Sequence, residues 1–264
     1  MPLVSWFDRI PLWGVLAGTI ALIFASFETG RRWGASRRND DLANLEGPTT
    51  SMSSAALGLL AFMLAFTFGM AGTRFERRRE VLLEEANAIG TAYLRAEMLP
   101  APHAANVRKL LREYVDLRIA GPSTTADRFK RVIDRSVEIH GLLWKEAVAS
   151  AQVNPGSIQT GLFVQSLNEL IDLHSKRLTA SLRSRIPGVI WAALYALTFL
   201  SMTMLGYQTG LFHTNLSAPT LILAAAFSAV LCLIADLERP QEGLLRVSQQ
   251  ALIDARAGME GPNP

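Results

Sequence analysis

The sequence predicts an all-α integral membrane protein: four transmembrane helices, with a helical cytoplasmic bundle inserted between spans 2 and 3. Three observations carry this expectation. No Lys, Arg, Asp or Glu occurs from Ile10 to Phe27, from Gly47 to Thr73, or from Ile186 to Ala235. A helix that crosses a bilayer needs roughly 20 apolar residues, and without water it must satisfy its own backbone hydrogen bonds. Residues 74–186, by contrast, carry ordinary charge on a helical apolar period, with no alternating β pattern.

The first two uncharged stretches place spans at about 11–28 and 53–73, an N-terminal membrane pair within 1–73. The first is short and N-terminal, as a signal peptide would be. Yet only Arg9, balanced by Asp8, precedes it and no clear A-x-A site follows, so it is taken as a span. The third stretch is too long for one span. Gly206, Gly210, Asn215 and Pro219 are expected to mark a turn inside it, giving a hairpin over 187–236 with spans at about 187–207 and 217–236. Pro187 suits the first turn of the third span. Residues 237–264 form the C-terminal tail, expected to fray beyond Met259.

Within the central domain, 74–186, the second span runs on without a breaker until Pro100 and Pro102. At 1.5 Å per residue this predicts a helix about 70 Å long. Val107, Leu110, Leu111, Tyr114 and Leu117 then form one apolar stripe. Gly121-Pro122 interrupts it, and Thr124 with Asp127 resembles a capping box for the next helix. That helix carries Phe129, Val132, Ile133, Val137 and Trp144. Asn154-Pro155-Gly156 makes a turn, with Ser157 as N-cap of a last helix bearing Leu167, Leu170, Ile171, Leu178 and Leu182.

The net charge is +3, with 26 basic and 23 acidic residues. The mild basicity comes largely from arginines beside the membrane, which points to anionic lipid headgroups as partners rather than nucleic acid. Arg74, Arg77, Arg78, Arg79, Lys176, Arg177, Arg183 and Arg185 flank the central domain, and Arg239 and Arg246 follow the last span. The larger count places the domain and both termini in the cytoplasm, although Arg31, Arg32, Arg37 and Arg38 stand on the other side. Cys232 is the sole cysteine, so no internal disulfide forms. His103, His140, His174 and His213 show no metal-ligand spacing. There is also no phosphate loop, dinucleotide fingerprint or nucleophile elbow. No enzyme, cofactor or metal site is expected.

The stretch Arg74–Leu94, with its EEANAIGTAYLR, resembles the bacterial bestrophin-like family known as DUF4239. The resemblance continues in Tyr114-Val115-Asp116-Leu117-Arg118, Leu167-Asn168-Glu169 and Asp172-Leu173-His174-Ser175. It ends in Asp236-Leu237-Glu238-Arg239-Pro240, Gly243 and Arg246-Val247-Ser248. The family pattern closes the fourth span with DLDRP, where this chain has Glu238. Bestrophins are pentameric anion channels of the same layout. The resemblance therefore implies a homo-oligomer, a pentamer by analogy, in the bacterial inner membrane, that passes inorganic ions along an axis lined by the second span.

On that span Phe62, Phe66 and Met70 recur every fourth residue. The resemblance implies that they form an apolar gate that conducts when wetted. Lipid contact or packing is the plainer account of the same residues. Ala61, Ala65 and Gly69 make a small-residue face suited to close helix packing. Arg74, Arg77, Arg78 and Arg79 stand where the span leaves the membrane, either as a ring attracting anions to a pore mouth or as anchors on lipid phosphates. Glu84, Glu85 and Asn87 follow. No loop of spaced acidic ligands suits Ca²⁺ there, so intrahelical pairing is expected for both carboxylates. Asn168, Asp172, Asp236 and Arg239 complete the polar motif residues. Asp236 is expected to pair with an arginine at the end of the second span, and His174 to lie buried on an apolar stripe. A non-conducting scaffold or sensor, whose cytoplasmic bundle binds a partner protein, is the alternative function.

Overall fold

The computed structural model describes residues 10–37, 43–121, 126–212, 217–239 and 243–260. Thr124 of the expected capping box, Asn215 of the expected turn, Pro122, Arg38, His213 and Pro240 lie outside them, as do the side chains of Leu182 and Arg183. Among the described residues the chain is helical throughout, with no strand. It divides into two compact units: Ile10–Arg74 with Arg185–Leu245, and Phe75–Ser184 with the segment from Arg246 onward.

The membrane unit holds α1 (Leu12–Ser36), the first part of α2 (Ala43–Ala96), α6 (Gly188–Phe212) and α7 (Ser217–Glu238). Each of these four helices is long and apolar enough to cross a membrane. Trp13 and Trp33, both exposed, stand about 30 Å apart along α1 at 1.5 Å per residue. That matches the hydrocarbon thickness between two interfacial aromatic belts. Hydroxyls buried here back-bond to the preceding turn: Thr19 donates to the Val15 carbonyl at 2.8 Å, and Thr198 to that of Leu194 at 2.8 Å. Each of these two hydroxyls thereby finds an acceptor within its own helix.

The expected turn over Gly206 and Gly210 is not a turn. Both glycines lie inside α6, and they are glycines because α1 crosses them at backbone contact. A Cβ on Gly206 would meet the Phe27 carbonyl oxygen at 2.0 Å, and one on Gly210 that of Arg31 at 2.0 Å. The relation is reciprocal. A Cβ on Gly30 would meet the Thr203 oxygen at 1.9 Å, and one on Gly34 the Tyr207 oxygen at 2.1 Å. Two small-xxx-small faces thus interlock, as helices without a hydrophobic driving force between them require. Trp33 packs on Tyr207 at 5.2 Å between ring centroids. Pro219 lies in the first turn of α7, where its missing N–H costs nothing.

The second unit contains the rest of α2, α3 (His103–Ala120), α4 (Ala126–Val153), α5 (Ile158–Leu178) with a π-turn at Thr179–Arg183, and α8 (Gln250–Gly258). The unbroken α2 has 54 residues, about 80 Å at 1.5 Å per residue. Ile89, Leu111, Tyr114, Ile139, Leu143, Phe163, Leu167 and Leu170 are fully buried and form the core. Ser157 caps α5 by accepting the Thr160 N–H at 3.3 Å, after a turn in which Gly156 takes φ +84°. The C-terminal segment holds a helix not expected from sequence. Leu252 of α8 is buried in the core, and Tyr93 Oη donates to the Met259 carbonyl at 2.8 Å. Arg112 reaches the same carbonyl at 3.1 Å.

Candidate functional site

Within the membrane unit, α2 shows two unlike faces. Leu60, Leu64, Thr67 and Ala71 are buried, at the spacing of one helical stripe. Phe62 and Phe66 are 66% and 55% exposed, and Met70 is half-buried. Ala61, Ala65 and Gly69 are exposed as well. Ala65, Phe66, Gly69, Met70, Thr73 and Arg74 line one open groove of about 460 Å³. The small-residue face does not pack inside the chain: a Cβ on Gly69 would meet nothing within 4 Å. Close glycine packing within the chain occurs at Gly30, Gly34, Gly206 and Gly210 instead.

The arginines beyond the span have separate environments. Arg74 Nη1 donates to Glu238 Oε1 at 3.3 Å, and Glu238 Oε2 accepts the Ile186 N–H at 2.7 Å. Arg77 pairs with Glu80 at 3.1 Å and reaches Glu84 at 4.0 Å; Arg79 pairs with Glu76 at 3.6 Å. Arg78 is buried, its guanidinium 5.9 Å from the Phe75 ring centroid.

Asp236 does not make the pair expected of it; Glu238, two residues on, takes the span-2 arginine. The Asp236 carboxylate, 2% exposed, accepts the N–H groups of Leu244 and Leu245 at 2.8 and 2.9 Å. The chain can close on it only because Gly243 takes φ +136°; a Cβ there would lie 2.1 Å from Asp236 Oδ1. Arg239 donates to the Ile10 carbonyl. At the end of α7, Asp236 and Arg239 thus tether backbone, while Glu238 holds both the Ile186 N–H and Arg74.

Glu85 also departs from expectation. Glu84 is exposed, but Glu85 is fully buried and its partners come from other helices. Arg118 of α3 lies 3.0 Å from Oε1, and Arg177 of α5 donates to Oε2 at 2.5 Å. Tyr114 Oη donates to Oε1 at 2.6 Å. His174 Nδ1 lies 3.2 Å from the same Tyr114 oxygen. With the phenol proton on Glu85, that nitrogen is the donor. The His140 ring of α4 completes the node, edge-on to His174 at 4.8 Å and 5.0 Å from Tyr114 between centroids. Burial pushes the Glu85 carboxyl up, but Arg118 and then Arg177 outweigh it and hold it at about 2. Burial, then Arg118, lowers His140 to about 4 and His174 to about 3. Both imidazoles are neutral at pH 7. His174 lies buried, as its stripe predicts, while Asn87, Asn168 and Asp172 are exposed and take no part in the node. Among the described residues no group of His, Cys, Asp and Glu is placed to hold a metal ion.

Comparison with known proteins agrees with this architecture. A family model described as the bestrophin-like domain matches residues 17–252. A search of curated proteins returned no match. Among solved structures, a mutant of a bacterial bestrophin homolog from Klebsiella pneumoniae superposes with a TM-score of 0.66 at 17% identity, covering 95% of this chain and 99% of that one. The same homolog solved by zinc phasing gives 0.65 at 17% identity, over 96% and 100%. A variant described only as a membrane protein gives 0.68 at 16% identity, over 95% and 98%. At such identity these likenesses carry the fold, whereas the family match spans most of the sequence. The chain belongs to the bestrophin-like family.

Proposed function

We propose that the chain is the subunit of an oligomeric, anion-conducting channel, pentameric by analogy with bestrophins, in which α2 lines the axis. One observation supports this above the others. Phe62 and Phe66 keep 66% and 55% of their surface open while the opposite stripe of the same helix is buried. A ring of such side chains around an axis makes a narrow apolar constriction that passes ions only when wetted. In this reading the protein is a multi-pass inner-membrane protein, its helical unit and termini cytoplasmic, its outer surface in lipid. Halide flux into liposomes tests it, comparing wild type with Phe66→Ala. Flux altered by the substitution is the expected result. Silence from both, in folded and inserted protein, would overturn it.

A second reading, a non-conducting scaffold that binds a partner protein, draws on the helical unit. Leu94 is 67% and Ile158 76% exposed there, apolar side chains that a bound partner would cover. A partner captured at fixed stoichiometry, together with absent flux, would favour it.

A further inference from the structure

The node around Glu85 gathers charged or titratable side chains from α2, α3, α4 and α5. Glu85 comes from α2, Tyr114 and Arg118 from α3, His140 from α4, and His174 and Arg177 from α5. Gln249, just before α8, accepts from Arg177 at 3.2 Å. With both imidazoles neutral, two guanidinium groups face a single carboxylate. A proton on either ring would add a third cation with no second anion to meet it. It would also have nowhere to donate: Nε2 of His140 and Nε2 of His174 are both buried without a hydrogen-bond partner. A buried donor or charge left unpaired is far costlier than a neutral ring in the same place. The α4 contribution is the weakest link. Arg118, Arg177 and Tyr114 are held on Glu85 by hydrogen bonds, whereas His140 meets the node through ring faces and edges alone.

We propose that the His140–His174 pair is an acid-sensitive latch: neutral, it closes α4 onto the Glu85 node, and protonation releases α4. This is a property of the helical unit, and it holds whether or not the chain conducts. A group whose folded pKa lies below its free value stabilises the closed form above that free value, and the contribution is lost as pH falls. With an ordinary histidine value near 6.5, the loss begins below about pH 6.5 and continues toward about 4 for His140 and about 3 for His174. From pH 7 to pH 5, each histidine that regains ordinary proton affinity on release favours opening by about 20-fold.

Amide hydrogen exchange of the full-length chain in lipid nanodiscs tests this, with rates corrected for the intrinsic effect of pH. The expected result is an α4 opening equilibrium that rises at least about 20-fold between pH 7 and pH 5. His140→Phe, which keeps an apolar ring and removes one of the two proton sites, should cut that dependence by the roughly 20-fold share of one histidine. His103→Gln, at the partly exposed pair with Glu146, should keep it. Equal α4 opening at both pH values in wild type would overturn the proposal without any variant. Persistence of the full dependence in His140→Phe would overturn it as well.

Discussion

Arg177 on α5 donates to Glu85 on α2 across 2.5 Å, and the carboxylate that receives it has no exposed surface. With Arg118 on the other oxygen at 3.0 Å, the carboxylate joins three helices whose residues lie far apart in sequence. Removing it would strand two buried guanidinium groups. Glu85→Ala is therefore expected to cost about 3–5 kcal/mol, measured by denaturant unfolding of the helical unit.

The same carboxylate has a pH signature opposite in range to the histidines. Its value of about 2 lies below the ordinary 4.5, so its contribution is complete above pH 4.5 and is lost as pH falls toward 2. The stability gap between wild type and Glu85→Gln should be constant from pH 7 to 5 and shrink below 4.5. A gap that widened on acidification would show that the carboxylate is not held ionised by the arginines.

Gly206→Ala forces a methyl group into the Phe27 carbonyl. Overpacking of this kind costs about 1–3 kcal/mol, and backbone atoms have less room to yield than side chains. Thermal unfolding in detergent should show a clear loss for Gly206→Ala and Gly30→Ala. Gly18→Ala, on the same α1 but with nothing within 4 Å of the new methyl, should be neutral or slightly stabilising, by up to about 1 kcal/mol.

At the end of α7, Gly243→Ala should cost about 1–3 kcal/mol, since φ +136° is reached almost only by glycine. Asp236→Ala leaves the Leu244 and Leu245 N–H groups without their acceptor, at about 1–3 kcal/mol. Asp236→Asn keeps one oxygen and should lose less. Limited proteolysis of the segment following α7 reads all three, with faster cleavage in the order of lost stability.

The membrane helices were legible because their cause is local. Each satisfies its own backbone, so a run free of charge such as Gly47–Thr73 declares itself without reference to any other part of the chain. The same holds for the Ser157 cap and the Asn154-Pro155-Gly156 turn, which depend on residues a few positions apart. The roles of Gly206, Glu85 and Asp236 did not follow from sequence. A glycine means a turn or a backbone crossing, and only the presence of α1 decides which. A glutamate beside arginines on a helix pairs along that helix unless distant arginines bury it, as Arg118 and Arg177 do here. Sequence by itself determined the four apolar helices suited to a membrane and most of the helices between them, though not α8 or the full length of α6. Tertiary structure alone decided which polar groups meet, because those partners are brought together by packing between helices and no local spacing encodes it.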